Sequence, residues 1–386
     1  VTDSFHSAQL VHCPDCALAV RISRVPGGFK AVCPRCHAGL HRQRRQANQV
    51  SLACTLAALI FLAFTLPFSF LQFAASGQRN EISMLSGLQT LVSHDFMFLA
   101  FIQVLLVVVI PLLVLLCIVY LQLAVLFARH FPAANSVLRI LQRLTPWGMA
   151  EVFLLGALVS LIKIADMADV SLGISFFAFM LFTLCFYASL SWLDMHTLRQ
   201  QLINLGHSLQ GQKNPAGAFD SSQRQRAIQL TWAMLSTAII LYLPANLLPI
   251  MTTSALGDTE ANTILGGVVR LWQHGSYPVA IIIFLASVVV PLMKLIVLTW
   301  LNWTVTVQHI SRARQRTGLY RMVEFIGRWS MVDVFVVAIL VSLIQLETIQ
   351  VYPGPAVVAF CLVVIMTMLA AITFDVRLLW TRRADG

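Results

Sequence analysis

From residue 51 onward, long apolar stretches alternate with short polar ones. Runs close to the length of about 20 residues that a helix needs to cross a bilayer begin near Ser51, Phe96, Gly148, Leu172, Ile228, Tyr277, Ser330 and Pro355. The pattern predicts eight transmembrane helices, the shortest being those that start at Gly148 and Ser330. The expected fold class is therefore an all-α polytopic membrane protein. Two outer loops, "ISMLSGLQTLV" (82–92) and "TILGGVVRLW" (263–272), also carry apolar residues at helical spacing. They read either as short helices on the membrane surface or as packed re-entry turns.

The pattern also repeats. Residues 87–121 match 267–301 at an offset of 180, pairing Gly87 with Gly267, His94 with His274, Pro111 with Pro291 and Leu121 with Leu301. "WGMAEVFLLGALVSLIK" (147–163) matches "WSMVDVFVVAILVSLIQ" (329–345) at an offset of 182. Such a register, held over both halves, is the mark of duplication. Four spans return the chain to its starting side, so the two four-helix repeats are expected to be parallel and not inverted. The resulting organisation is a segment 1–46, a first repeat 47–195, a linker 196–227 and a second repeat 228–386 with a short tail. The linker is rich in Gly, Gln, Ser and charge.

Composition strengthens this picture. Of 386 residues 58% are hydrophobic and only 11% charged, which excludes an ordinary soluble domain. Residues 1–50 lack the apolar core of a signal peptide, so the N-terminus is expected in the cytoplasm. With that orientation 22 of the 26 Lys and Arg residues fall in cytoplasmic segments, and the C-terminus is cytoplasmic too. The net charge of +10 is thus a topology signal. It is split among five short segments, which argues against a nucleic-acid partner.

The polar N-terminal segment carries "CPDC" and "CPRC", in which Cys13, Cys16, Cys33 and Cys36 form two Cys-x-x-Cys knuckles 16 residues apart. This is the spacing of a four-thiolate ribbon holding one structural Zn2+, with "VPGG" (25–28) as a hairpin between the knuckles. A redox dithiol or two disulfides are the alternatives. A reducing cytoplasm disfavours disulfides, and the segment is too short for a thioredoxin-like βαβ unit.

Within the apolar runs one lysine stands out. Lys294, three residues after Pro291, is about 13 Å inside the cytoplasmic end of its span at 1.5 Å per residue. An ammonium there requires a partner or a wet cavity. Asp333, at a depth of about 6 Å, is the expected counter-ion; Thr367, at about 12 Å, and Ser287, two turns from Lys294 on one face, complete a candidate polar network. The alternative is an anchoring lysine that snorkels to water. The equivalents of Ser287 and Lys294 in the first half are Val107 and Val114, while Asp333 has the counterpart Glu151. "LYLPANLLPI" (241–250) predicts a bent span, with Asn246 bonding carbonyls that its prolines leave free and Asn246, Pro249 and Pro291 as a possible bend or gate.

At "LYLPANLLPIM", "FLASVVVPLMK" and "VEFIGRWSMVDVF", joined to the "CPDC…CPRC" ribbon and the tandem repeat, the chain resembles the paraquat-inducible protein A family of Gram-negative inner membranes. The resemblance implies a non-enzymatic component of intermembrane lipid transport, which passes phospholipid to or from a periplasmic tunnel of MCE-domain protein and supports envelope integrity. On matching positions, it implies the polar network Ser287, Lys294, Asp333 and Thr367. One departure stands out: family members commonly carry a second four-cysteine ribbon between the halves, and residues 195–227 contain no cysteine. Other readings of the residues are a quinone-linked redox protein working through the Cys pairs and a purely structural anchor for the tunnel.

Overall fold

The apolar runs fold as helices, and two sheets join the loops between them. The computed structural model describes residues 9–22, 29–42, 47–75, 78–93, 97–128, 131, 133–165, 169–205, 221–255, 258–273, 275, 277–307, 312–343, 345–346 and 349–380. The ribbon segment forms two antiparallel hairpins, β1 (Gln9–His12) with β2 (Ala19–Ile22) and β3 (Lys30–Val32) with β4 (Gly39–Arg42). Each knuckle is the turn of its own hairpin, and the expected hairpin at "VPGG" lies outside the described residues.

The first half continues with α1 (Ala47–Thr65), β5 (Ser69–Ala75), β6 (Gln78–Ser83), α2 (Met84–Ser93), α3 (Met97–Val104), α4 (Ile110–Leu126), α5 (Ala134–Leu144), α6 (Ala150–Ala165), β7 (Asp169–Leu172), α7 (Ile174–Trp192) and α8 (Met195–Asn204). The second half follows a similar order: α9 (Ser221–Leu247), β8 (Met251–Ala255), β9 (Asp258–Asn262), α10 (Ile264–Gln273), α11 (Tyr277–Phe284), α12 (Val290–Thr306), α13 (Ala313–Trp329), α14 (Val332–Leu343), β10 (Gln345–Leu346), β11 (Ile349–Pro353) and α15 (Pro355–Thr373). Among the described residues, seven helical stretches are long and apolar enough to cross a membrane: Ala47–Thr65, Met97–Leu126, Ala134–Leu161, Ile174–Trp192, Ser222–Leu247, Leu285–Thr306 and Pro355–Thr373. The chain is a polytopic helical membrane protein. The eighth expected span is shorter than its hydropathy run: α14 has 12 residues, a rise of about 18 Å. Its Val334, Phe335, Val336, Val337 and Ala338 are all buried, so protein surrounds it.

The all-α expectation needs correction. A three-stranded sheet, in the order β6-β5-β7, joins the two loops of the first half, and a four-stranded sheet, β10-β11-β8-β9, joins those of the second. Leu71 pairs with Leu172 in one, Thr253 with Val351 in the other. The strands are short alternating or Thr-rich segments abutting long apolar helices, where a period of two is hard to read. The two loop segments 82–92 and 263–272 do become helical from Met84 and Ile264 onward, as α2 and α10.

Prolines reshape the helices differently from the expected kinks. Pro111 and Pro291 each follow a five-residue π-helical turn, Leu105–Val109 and Leu285–Val289, and the N–H of Val290 reaches back five residues to the Leu285 carbonyl. A wider turn accommodates the residue that cannot donate. It also changes the angular step around Ser287, so the expected alignment of Ser287 with Lys294 no longer follows from ideal spacing. Tyr242 donates to the carbonyl of Val288 in this turn at 3.2 Å, tying α9 to it. Asn246 does not bond a carbonyl freed by proline: its Nδ2 donates to Tyr242, 2.9 Å away in the same helix. Pro249 lies beyond the end of α9 and bends no helix.

The halves meet where α6 packs on α14. The repeat-equivalent rings of Phe153 and Phe335 stand edge to face at 5.6 Å. Gly156 lets α14 approach, since a Cβ there would lie 3.0 Å from that of Phe335. In lipid, close packing of this kind replaces the hydrophobic effect as the force between helices. At the head of the last long apolar helix in each half, α7 and α15, another glycine is fixed by space. A Cβ on Gly173 would stand 2.0 Å from the Ser69 carbonyl oxygen, and one on Gly354 would stand 2.0 Å from that of Pro249. Backbone atoms there cannot yield as a flexible side chain would. Gly173→Ala and Gly354→Ala are each expected to cost about 1–3 kcal/mol, read as a lowered thermal midpoint of the detergent-purified chain.

Candidate functional site

Each knuckle closes in the same way. Ala17 and His37, directly after the second cysteine, adopt left-handed φ of 56° and 57°. That geometry lets their N–H groups bond the carbonyls of Cys13 and Cys33 at 3.0 and 2.9 Å. The four Sγ atoms are buried and all lie within 4.8 Å of one another, with Cys13–Cys36 at 3.3 Å and Cys16–Cys33 at 3.5 Å. A tetrahedral ion with 2.3 Å bonds to sulfur requires edges of about 3.8 Å. The residues fit a metal ion, and His12 and His37 are not part of the cluster. Burial pushes the Cys13 thiol up to about 11 and raises Cys16 as well. At Cys33 burial acts in the same direction, but the N–H groups of Cys36 and Arg35 outweigh it and bring that thiol down to about 7. A cation bound among these thiols would displace their protons into solvent and take the thiolates as ligands.

The ribbon is joined to the second half through its knuckles. Asp15, inside the first knuckle, accepts from Arg321 of α13: Nε at 2.8 Å, and Nη2 in a second bond to the same oxygen. Arg321 Nη2 also donates to the Cys36 carbonyl, in the second knuckle, at 3.3 Å. Burial alone would lower the pKa of this guanidinium; the bond to Asp15 reverses the sign and raises it. Arg35 of the second knuckle lies over the ring of Trp380, 4.6 Å from its centroid, and Trp380 Nε1 donates to Thr317 of α13 at 3.0 Å. α13 is fixed to the core in turn, since Tyr320 donates to the Ala371 carbonyl of α15 at 2.7 Å.

Lys294 is buried in α12, 3% exposed, and among the described residues its Nζ has no hydrogen-bond partner. It lines a cavity of about 300 Å³. Arg321, Glu324, Phe325 and Gly327 of α13, Met368, Ala371 and Ile372 of α15, and Thr145 and Pro146 from the first half complete its walls. The lysine passes directly under α13: a Cβ on Gly327 would lie 2.9 Å from both Cε and Nζ. Of the other expected network members, Ser287 is buried within the π-helical turn. Thr367 is also buried, and its hydroxyl donates to Val364 of its own helix at 2.9 Å. Asp333 is in the first turn of α14, and its side chain lies outside the described residues. Its first-half counterpart Glu151 accepts from Tyr187 at 2.8 Å. Sequence reasoning missed Asp15, Arg321, Glu324 and Gly327. The one available signal was the charged, amphipathic character of 313–329, which reads as an ordinary cytoplasmic loop.

The chain matches the family described as Paraquat-inducible protein A over residues 49–202 and again over 228–384, and it belongs to that family. It is 37% identical to the Escherichia coli (strain K12) protein named intermembrane transport protein PqiA, over 99% of this chain and 98% of that one. A second Escherichia coli protein, lipophilic envelope-spanning tunnel protein A, is 29% identical over 97% and 92% of the two chains. A Haemophilus influenzae protein named probable intermembrane transport protein is 28% identical over 96% of each. No solved structure matches.

If the four thiolates hold a metal, the purified chain carries about one ion, and Cys16→Ser or Cys33→Ser reduces that content to near zero in elemental analysis.

Proposed function

We propose that this paraquat-inducible protein A family member is an inner-membrane component of an intermembrane lipid transport system. In this reading it passes phospholipid to or from a periplasmic tunnel of MCE-domain protein and acts as a transporter component, not an enzyme. The observation that carries it is end-to-end likeness to a relative named for intermembrane transport. The body is eight spans in two parallel four-helix repeats, both termini being cytoplasmic. The family match to two successive segments and the similar order of elements in each half support the duplication. α14 serves as the eighth span because it is sheathed by protein and need not match the thickness of the lipid. The ribbon 1–46 holds one structural Zn2+: four sulfurs converging on one point leave no open ligand position for chemistry.

Lys294 with Ser287, Asp333 and Thr367 forms the polar centre of the transport half. A buried lysine in a cavity is costly to keep and has no packing purpose that leucine or methionine would not serve better. Its position under α13, beside a cavity whose walls combine charge and hydrocarbon, suits a group that responds to a headgroup or a proton during a transport cycle. Asp333, arriving on α14 from the first turn of that helix, is its proposed counter-ion.

Two variants test this reading. Lys294→Met keeps the volume and removes the charge. It is expected to leave thermal stability equal or higher, by up to about 3 kcal/mol, while phospholipid transfer between membranes falls by tenfold or more, on the order of one lost charge-assisted contact. Transfer at the wild-type rate, at matched protein level, would remove Lys294 from the mechanism and favour the structural-anchor reading. Gly327→Ala, which displaces the same amine without deleting it, is expected to reduce transfer less than Lys294→Met does in the same assay.

A further inference from the structure

The two hairpins of the ribbon form separate two-stranded sheets, with no strand pairing between them among the described residues. What brings the knuckles together is the cysteine cluster. Arg321 bonds across that junction, to Asp15 of the first knuckle and to the carbonyl of Cys36 in the second. Its full set of acceptors therefore exists only while the knuckles are held side by side. Arg35 adds a second point of attachment through Trp380 to Thr317, one helical turn before Arg321. The same Arg321 lines the cavity that holds Lys294, and Gly327 of the same helix lies against the lysine's end.

We infer that Arg321 is a positioning residue through which metal held by the ribbon presses α13 onto Lys294, so that metal occupancy governs access to the buried amine. With the cation bound, the knuckles present Asp15 and the Cys36 carbonyl together, and α13 is gripped at Thr317 and Arg321. Without it nothing in the cluster holds the knuckles side by side, Arg321 loses its paired acceptors, and the helix that roofs the lysine keeps its packing on α12 and α15 but loses the clamp that the ribbon supplies. The role of the amine rests on the polar centre proposed above. The coupling itself does not.

The test is the rate at which a small acetylating reagent modifies Lys294 in the full-length, detergent-purified chain, followed by peptide mass spectrometry with Lys213 as internal reference. Stripping the metal with a chelator is expected to raise the Lys294 rate about tenfold, the ratio carried by one charge-assisted hydrogen bond. Arg321→Gln should produce the same rise with the metal still bound, and Arg321→Lys, which keeps the charge but not the fork, should restore part of the protection. Equal Lys294 rates in loaded and stripped protein overturn the coupling, as does wild-type protection in metal-loaded Arg321→Gln. Should Arg321→Gln fail to retain metal, hydrogen exchange across 313–329 of the wild-type chain decides: faster exchange after chelation upholds the inference, and unchanged exchange overturns it. If Lys294→Met leaves transfer intact while the labelling result holds, the coupling stands and only the transport role falls.

Discussion

A lysine that is 3% exposed inside an apolar bundle constrains everything packed around it. An ammonium deprived of water must find acceptors, a cavity or a counter-charge, at a cost of several kcal/mol if it finds none. The second half is arranged around that demand. α13 presents a glycine where the lysine passes beneath it. α15 faces the cavity with Ala371 and Met368, and the first half contributes Thr145 and Pro146 from the break between α5 and α6. The π-helical turn that carries Ser287 lies in the same span, with its Val288 carbonyl satisfied by Tyr242. These elements come from both halves, so the lysine cavity belongs to the assembled fold and not to one repeat.

The first half solves a milder version of the problem. Val114 stands where the second half has Lys294, and Glu151, the counterpart of Asp333, is held by the hydroxyl of Tyr187. Elsewhere in the first half a cluster of aromatic rings fills the interior: Phe70, Phe153, Phe176 and Phe179 pack at centroid distances of 5.4 to 6.1 Å. One half thus contributes a close-packed aromatic cluster and the other most of the walls of a charged recess. The contact of Phe153 with Phe335 places the cluster directly against α14, the helix that carries Asp333.

The ribbon brings a third constraint, since a segment of this size has too little apolar interior to fold unaided. Its core is four cysteines, Ala38 and a few flanking residues, with Trp380 of the C-terminal segment packed on it. Docking therefore serves both parties: the membrane domain covers the ribbon, and the ribbon's acidic and carbonyl oxygens answer an arginine on α13. Asp15 is part of the knuckle itself, so the shape of the cysteine cluster and the position of α13 are not independent.

The sequence by itself determined the features that local chemistry encodes. Apolar run length marks the spans because an uninterrupted helix is the cheapest way to satisfy backbone groups in lipid. Cysteine spacing marks the knuckles because a tight turn is the way to aim two sulfurs at one ion. The 180-residue offset, and the oddity of Lys294, are visible in one line of text. Only the tertiary structure decided the rest. The strands joining the loops, Leu71 to Leu172 and Thr253 to Val351, pair residues about a hundred positions apart, so no local period announces them. Pro111 and Pro291 announce a disturbed helix, but whether it kinks or widens into a π-helical turn depends on how neighbouring helices pack against it. Asp15 and Arg321 are separated by 306 residues, and each alone is an unremarkable surface charge. Their bond arises because the folded bundle carries α13 to where the ribbon's two knuckles converge, and a contact of that kind is written in the geometry of the whole chain and not in either residue's neighbours.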